Sequence, residues 1–377
     1  MFKIKSESGG ARTGIIRTVH GNIETPNFKA VATKGAVKMI TTDELKEIGA
    51  QEVISNAFIL YLRPGLEIIE AHGGLHKFMD WDRAIFTDCG GFQVLSMEKE
   101  FHVKTTMRGI EFRSPFDGTN HILNPEKLME IQNRLGSDVA MALDDMPLYG
   151  CTRDSAIESM KNTNRWMEEC IKLHNNRKQL LFGIAQGSFF PDLRKKAVKF
   201  IDSLDFDGIA FGGLAIGEPK DKMYDMIKIG SANCSKEKPR YVMGVGSPAD
   251  IIRCIGLGID TFDSVWPTRN ARHGHIFTNN GPMNIENSRF RKDYSMFDEE
   301  CRCKVCRKHT KSYMSHLFKT REPLGFRLAS YHNLFFMYDM LKDARKAIKD
   351  DEFGDFKREF LRRYEKKQKP KIGKIKK

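Results

Sequence analysis

The chain has no run approaching 18 consecutive apolar residues, the length at which a segment begins to read as a membrane-spanning helix. Its first ten residues, MFKIKSESGG, lack the apolar stretch of a secretory signal. Membrane insertion and secretion are therefore not expected, and a cytoplasmic location follows by default. No repeat of fixed period is found. A disulfide scaffold is also missing, because Cys89, Cys151, Cys170, Cys234 and Cys254 stand singly, as suits a reducing compartment.

What is present is ordinary in bulk and uneven in detail. At 377 residues, 40% hydrophobic and 29% charged, the chain can bury a sizeable core. It exceeds a typical domain, yet one α/β barrel of roughly 250 residues with additions would fit. Of the formal net charge of +13, a surplus of nine lies between Lys357 and the C-terminus, where eleven Lys and Arg face two Glu. Such a tail is either a solvated basic end or a patch with affinity for a polyanion such as RNA. Charge alone does not choose among RNA, DNA and an acidic membrane.

Short β-rich runs alternate with longer amphipathic stretches. The expected strands are Phe28–Thr33, Glu52–Ser55, Ala84–Asp88, Asp138–Leu143, Leu180–Gln186, Gly208–Gly212, Arg240–Val245 and Asp260–Asp263. Asn124–Leu135 and Arg153–His174 carry apolar residues at helical spacing, and Thr41-Thr42-Asp43-Glu44 and Asn124-Pro125-Glu126 read as helix starts. Eight alternations suggest a (β/α)8 TIM barrel, with a doubly wound sheet as the alternative. Nearly every run ends in a polar or glycine-rich cluster, and a barrel would gather those ends on one face. Leu95–Leu123 breaks the rhythm with two alternating segments and an Asp117-Gly118 turn, which predicts an inserted antiparallel hairpin.

After Arg269 the rhythm stops. Cys301-x-Cys303-x-x-Cys306 then places three thiolates on one tight loop. Zinc favours four S/N ligands, so a fourth is required, and His309, His316 and His332 are the candidates. Four protein ligands would leave no open position, so the zinc is expected to be structural.

A set of motifs makes the chain recognisable. In order they are Thr87-Asp88-Cys89-Gly90-Gly91-Phe92-Gln93-Val94, Gln132-x-x-Leu135-Gly136-Ser137-Asp138, Phe182-Gly183-Ile184-x-Gln186-Gly187, Phe211-Gly212-Gly213-Leu214, Pro239-Arg240-Tyr241-x-Met243-Gly244-Val245-Gly246 and Phe262-Asp263-x-Val265-x-Pro267-Thr268-Arg269. Together they resemble the bacterial type of tRNA-guanine transglycosylase, from about Phe2 to Tyr364. The resemblance implies a TIM barrel over residues 1–364, with a zinc subdomain at about 285–345. Cys301, Cys303, Cys306 and His332 match that family's zinc ligands. Residues 365–377 would then be a basic, disordered tail.

The implied reaction exchanges guanine at the wobble position of tRNA for a 7-deazaguanine, in queuosine biosynthesis. Breaking and remaking an N-glycosidic bond at one carbon calls for a carboxylate that holds the sugar and a second group for proton transfer. By resemblance Asp263 is the nucleophile and Asp88 the general base. Cys89, Gly90, Gly91, Phe92, Asp144, Gln186, Gly213, Leu214 and Met243 would surround the base. Asp144 accepts from its N–H edge, Gln186 and the Gly213 amide donate to its carbonyl, and Phe92 and Met243 sandwich the ring. Without the resemblance, Phe92 and Met243 have core packing as their alternative reading, and the two aspartates read first as strand-end caps of the next helix. The target nucleotide must leave its stack to enter such a pocket, so loop RNA with a U-G-U element is the expected partner. The tRNA contacts implied are Gly244, Val245, Gly246, Ser247, Pro248, Ala249 and Asp250, with Thr268, Arg269, Asn270, Ala271 and Arg272. A homodimer is implied as well.

Several positions depart from the family's pattern. Cys89 stands where serine is usual, Ser188 replaces a glycine, Trp266 replaces an aliphatic residue, and Ser55–Leu60 differs from the usual run. Ile216 leaves less room than glycine for a bulky substituent, which favours 7-aminomethyl-7-deazaguanine over queuine. Other readings are modification of a different nucleic-acid position and a non-catalytic tRNA-binding partner subunit. Against the last, both aspartates are present.

Overall fold

The computed structural model describes residues 2–91, 103–114 and 116–366. The chain opens with an antiparallel sheet of β1 (Phe2–Ser8), β2 (Ala11–Thr18) and β3 (Gly21–Thr25). This sheet was not anticipated, although its alternating exposure and its Gly9-Gly10 and His20-Gly21 turns are hairpin signals.

The eight expected runs then form a closed parallel barrel. Its strands are β4 (Asn27–Val31), β5 (Glu52–Asn56), β6 (Ala84–Asp88), β10 (Val139–Met141), β11 (Leu180–Ala185), β12 (Gly208–Phe211), β13 (Arg240–Val242) and β14 (Thr261–Ser264). β6 closes the ring by pairing with β10. The doubly wound alternative is thereby ruled out. The expected runs Asp138–Leu143 and Arg240–Val245 are trimmed, because their last residues turn into the loops that carry Asp144 and Met243.

Between β6 and β10 lies the insertion, with strands β7 (Lys104–Thr106), β8 (Gly109–Arg113) and β9 (Asn120–Leu123). They form a three-stranded antiparallel sheet rather than the simple hairpin expected. The Asp117-Gly118 turn is present, with Gly118 at positive φ and the Asp117 carboxylate accepting from the Thr119 amide. The expected segment's residues 95–102 lie outside the described residues, as do Phe92 and residues 367–377.

Helices cover the barrel's outside because each has one apolar stripe to bury. Pro125–Leu135 starts with Asn124 accepting from the Lys127 amide at 2.8 Å and Pro at its first turn, and Thr41 and Glu44 form a capping box. Arg153–Leu173, Pro191–Ser203 and Lys220–Ala232 continue around the ring. The 27-residue helix Pro323–Lys349 crosses back to pack on β1, β2 and β4 and on the helix Trp266–Arg272. Inside the barrel, rings on alternate strands meet edge to face: Phe86 of β6 lies 5.7 Å from Phe182 of β11 and 6.3 Å from Tyr241 of β13. Among the described residues no helix is long and apolar enough to cross a membrane.

Candidate active site and metal centre

The C-terminal ends of the strands converge on one face, and that is where most of the expected site residues lie. Asp88 ends β6, Asp144 follows β10, Gln186 follows β11, Gly213 and Leu214 follow β12, Met243 follows β13, and Asp263 lies within β14. The polar character of these ends has a physical reason. Past the last ladder hydrogen bond, backbone and side chains need partners that an apolar residue cannot supply.

The two carboxylates have different surroundings. Asp263 accepts the Tyr241 hydroxyl at 2.5 Å and the Gly244 amide at 3.1 Å, both through Oδ1. Among the described residues Asp88 accepts one side-chain donor, Asn56 Nδ2 at 3.2 Å, and its buried Oδ1 has no hydrogen-bond partner, while the Ala57 and Gly90 amides oppose its rise only weakly. Burial, and then the negative charge of Asp263, push Asp88 up to about 8. At neutral pH Asp88 therefore carries a proton for most of the time. Gly90 has positive φ and lies so close to Phe58 that a Cβ would sit 2.3 Å from the Phe58 Cβ, so this turn requires glycine.

A second cluster lies beside them. Asp144 is buried, and it accepts the Cys89 thiol at 3.2 Å and the Gln186 side-chain amide. Burial pushes Asp144 up to about 6, although both hydrogen bonds oppose it. The Gln186 Oε1 is buried and unpartnered, facing Gly213, where a Cβ would approach it to 2.7 Å. Gln186 thus spends its donor on Asp144 here, where the sequence suggests donation to a bound carbonyl. Cys89, one of the departures, therefore supplies the donor that a serine hydroxyl would otherwise supply.

The loop after β12 is held open by Glu218, whose carboxylate accepts the Ala215 amide at 2.6 Å and the Ile216 amide at 2.8 Å. Ile216 is half-buried there. Met243 is half-buried and packs on the core.

Of the expected nucleic-acid contacts, Gly244 and Arg269 are exposed, and Ser247, Asn270 and Arg272 are partly so. Val245, Gly246, Pro248, Ala249, Asp250, Thr268 and Ala271 are buried. Asp250 is tied to the Tyr224 hydroxyl at 2.6 Å and to Lys220. The side chains of these buried members are turned away from solvent. Val265 and Trp266, by contrast, are exposed beside Asp263.

Three residues that hold the site have no role assigned from sequence, although Gln132 and Tyr241 fall within its motifs. Asn56 orients Asp88 while accepting the Ile59 amide at 2.7 Å, Tyr241 orients Asp263, and Gln132 donates to the Asp88 and Met141 carbonyls. All three lie in runs whose polar residues were visible, but nothing in their spacing says what they face.

The cysteine cluster closes on one histidine. The Sγ atoms of Cys301, Cys303 and Cys306 lie 3.8, 3.4 and 3.4 Å from His332 Nδ1, and all four residues are buried. Around one tetrahedral ion, an S/N edge would be about 3.6 Å. His332 Nε2 lies 2.7 Å from the Phe277 carbonyl, which fixes the proton there and leaves Nδ1 free as a ligand. The donor set therefore fits one metal ion. His309 stacks on Tyr313 and His316 lies on a separate helix, so neither joins the cluster. Asn333, next in the chain, donates to the carbonyls of Pro267 and His275 and so ties this helix to the segment after Asp263.

A closed parallel barrel with two unlike carboxylates at its C-terminal mouth and a Cys3His centre on its flank defines a barrel enzyme with one metal-holding subdomain. The family model described as queuine tRNA-ribosyltransferase matches residues 6–366. A queuine tRNA-ribosyltransferase of Fusobacterium nucleatum is 46% identical over 367 residues, covering 97% of this chain and 98% of the relative. Those of Caldanaerobacter subterraneus and Bacillus subtilis are 48% and 46% identical, covering 94% of this chain in each case and 94% and 93% of their own lengths. The chain belongs to the queuine tRNA-ribosyltransferase family and is a transferase.

Proposed function

We propose that the chain exchanges the guanine at the wobble position of a tRNA with a U-G-U anticodon element for a 7-deazaguanine, through a ribosyl-aspartate intermediate. The observation that carries this reading is the pair Asp88 and Asp263, two carboxylates at one barrel mouth with opposite needs. An Asp263 oxygen bonds to the ribose C1′ as the C1′–N9 bond of guanine breaks. The departing base takes the proton that Asp88 holds. The incoming base then gives its own proton to Asp88 and bonds to C1′, and the bond to Asp263 breaks.

Asp144, when ionised, accepts from the N–H edge of the base. Gln186 reorients from Asp144 to the base carbonyl together with the Gly213 amide, and the Leu214 carbonyl faces the 7-substituent. Phe92 and Met243 hold the ring between them. Ile216, fixed by Glu218, favours the small aminomethyl substituent over queuine by volume. Gly244–Asp250 shape the floor for the anticodon loop, and Arg269 and Arg272 offer charge to its phosphates. Zinc is the ion assigned to Cys301, Cys303, Cys306 and His332. With four protein ligands its role is to hold the subdomain. Residues 1–364 act as one catalytic unit, working as a homodimer in the cytoplasm.

The test is exchange of labelled guanine into unmodified tRNA, chased with each deazaguanine in turn, together with mass spectrometry of quenched enzyme. The expected result is a tRNA adduct that Asp263→Asn abolishes, and release of label by one base. Binding of tRNA with no exchange and no adduct would instead assign the chain as a supporting subunit.

A further inference from the structure

Beside Asp263, on the paired strand β4, the barrel interior holds an ammonium group. The four alternate strands β6, β11, β13 and β4 contribute Phe86, Phe182, Tyr241 and Lys29 to the interior, a layer usually filled by bulky apolar side chains. Lys29 is fully buried and pairs across the parallel register with Asp263. Its Nζ lies 3.7 Å from the centre of the Tyr241 ring and 4.4 Å from that of Phe86, and donates to Thr261 Oγ1. Glu52, also fully buried, comes within 4.0 Å of Lys29 through Oε1. That oxygen otherwise accepts Asn27 Nδ2 at 3.2 Å, and Oε2 has no partner.

Stability does not explain this pair. Taking both charges from water costs more than a loose 4.0 Å contact returns, and two apolar side chains of like volume would fill the space as well. The position of the pair does have a consequence, however. Lys29 presses on the face of the ring whose hydroxyl donates to Asp263. A cation on that face withdraws electron density from the phenol and strengthens its O–H as a donor. Burial pushes Glu52 up to about 7, against the pull of Lys29, so burial works against the charge of the carboxylate beside the ammonium. Burial lowers Lys29 to about 8, and Glu52 and then Asp263 resist that fall.

We propose that Lys29 is a positioning residue that acts through Tyr241, placing the negative charge of the site on Asp263 while Asp88 keeps the proton. One cation beside one of two carboxylates breaks their symmetry, and the division of labour into nucleophile and proton carrier follows from it. Among the described residues, the titratable groups that share this interior are Lys29 on β4, Glu52 on β5, Asp88 on β6, Tyr241 on β13 and Asp263 on β14. Asp138, at the start of β10, acts on Glu52 from the far end. The inference rests on the reading of Asp263 as nucleophile.

The experiment removes the pair together, so that no buried charge is orphaned. The variant K29M/E52L is compared with E52Q, which removes the carboxylate and leaves the lysine, and with wild type. The readouts are thermal unfolding and kcat/KM for guanine exchange between about pH 5 and pH 9. The double variant is expected to fold, with the acid limb of kcat/KM moved up by about one to two pH units. Exchange near pH 6 would then fall about tenfold or more, with the plateau near pH 7.5 within a few-fold of wild type. E52Q is expected to keep the wild-type limb or move it down. A folded double variant with an unmoved acid limb overturns the proposal. Should the apolar pair not fold, K29Q/E52Q carries the same test. An Asp263→Asn protein as active as wild type would defeat the underlying reading instead, and the two failures are distinguished by that control.

Discussion

Two aspartates on neighbouring barrel strands, Asp88 at the end of β6 and Asp138 just before β10, meet opposite fates. Asp138 lies at the N-terminal end of the barrel and is saturated. It accepts the ring nitrogens of His20 and His76 at 3.0 Å each and the amides of His20 and Ile85 at 2.9 Å each. Burial would raise it, yet those hydrogen bonds hold it down to about 2. Three of these bonds pin the β2–β3 turn and the helix Leu75–Met79 beneath the barrel, and the fourth ties them to β6 through Ile85. Nearby, Arg12 likewise braces Asp260, donating to it from Nε at 2.9 Å. Asp88, at the other mouth, has one buried oxygen with no partner among the described residues and is pushed up to about 8. At the closed end a carboxylate is fully hydrogen-bonded and held ionised, whereas at the open end one is left with few partners and pushed toward its protonated form, the condition that the proposed proton transfer needs.

The comparison also decides whether two superficially similar sites are metal sites. The donor atoms of His20, His76 and Asp138 lie as near one another as those of the cysteine cluster. The two imidazole rings, however, stack with centroids 3.6 Å apart. Two rings aimed at one ion would sit about 5 Å apart, so this group is a hydrogen-bonded clamp. The Cys3His cluster, with its edges of 3.4–3.8 Å, has the separation an ion requires.

Substituting each aspartate in turn would sharpen the contrast. Asp88→Asn is expected to lower guanine exchange by about a thousandfold or more while leaving the melting temperature equal or higher, because a strained buried acid is replaced by a neutral amide. A large fall in melting temperature would break the comparison. Asp138→Ala is expected to do the reverse. Four hydrogen bonds to a buried carboxylate are lost, at a cost of about 3–5 kcal/mol in chemical denaturation, with kcat nearly kept in the protein that remains folded. Asp138 also gives the closed end its pH dependence. Its folded value is depressed, so its contribution is complete above the ordinary carboxylate range and fades as pH falls toward about 2.

At the open end a smaller effect is expected from Asp144. It sits at about 6, and only its ionised form accepts from both N–H groups of a base. KM for the incoming base should rise as pH falls through about 6, roughly tenfold per unit below it, and a flat KM down to pH 5 would remove Asp144 from base recognition. The smallest effect concerns Ser188, held at φ 49 next to Gly187. Ser188→Gly is expected to stabilise by about 0.5–1 kcal/mol in thermal or denaturant unfolding, since serine pays for a left-handed backbone that glycine adopts freely.

Much of this was legible before the structure. All eight barrel strands, the helices after Asn124 and Thr152, and the cysteine loop follow from periodicity, caps and spacing, which act over a few residues. In the insertion the two alternating segments are the ones that contain β7 and β8, and a pair of them reads as a hairpin; β9, only four residues long beyond the Asp117-Gly118 turn, gives no periodic signal of its own. The N-terminal meander was overlooked although its turns were visible, because a strand that covers a barrel end reads like any exposed hairpin. Asn56, Tyr241 and Lys29 could not be placed. A lysine within β4 breaks an apolar run, and only the closing of the ring shows that it faces two aromatic rings and lies beside Asp263.

The sequence by itself determined the alternation of strand and helix, the order of the strand-end motifs and three of the metal ligands, because each depends on neighbours in the chain. The tertiary structure decided which histidine completes the cluster, which carboxylate stays short of partners and where the buried cation lies. Those are properties of distance and burial among residues up to some two hundred positions apart, and no local pattern encodes them.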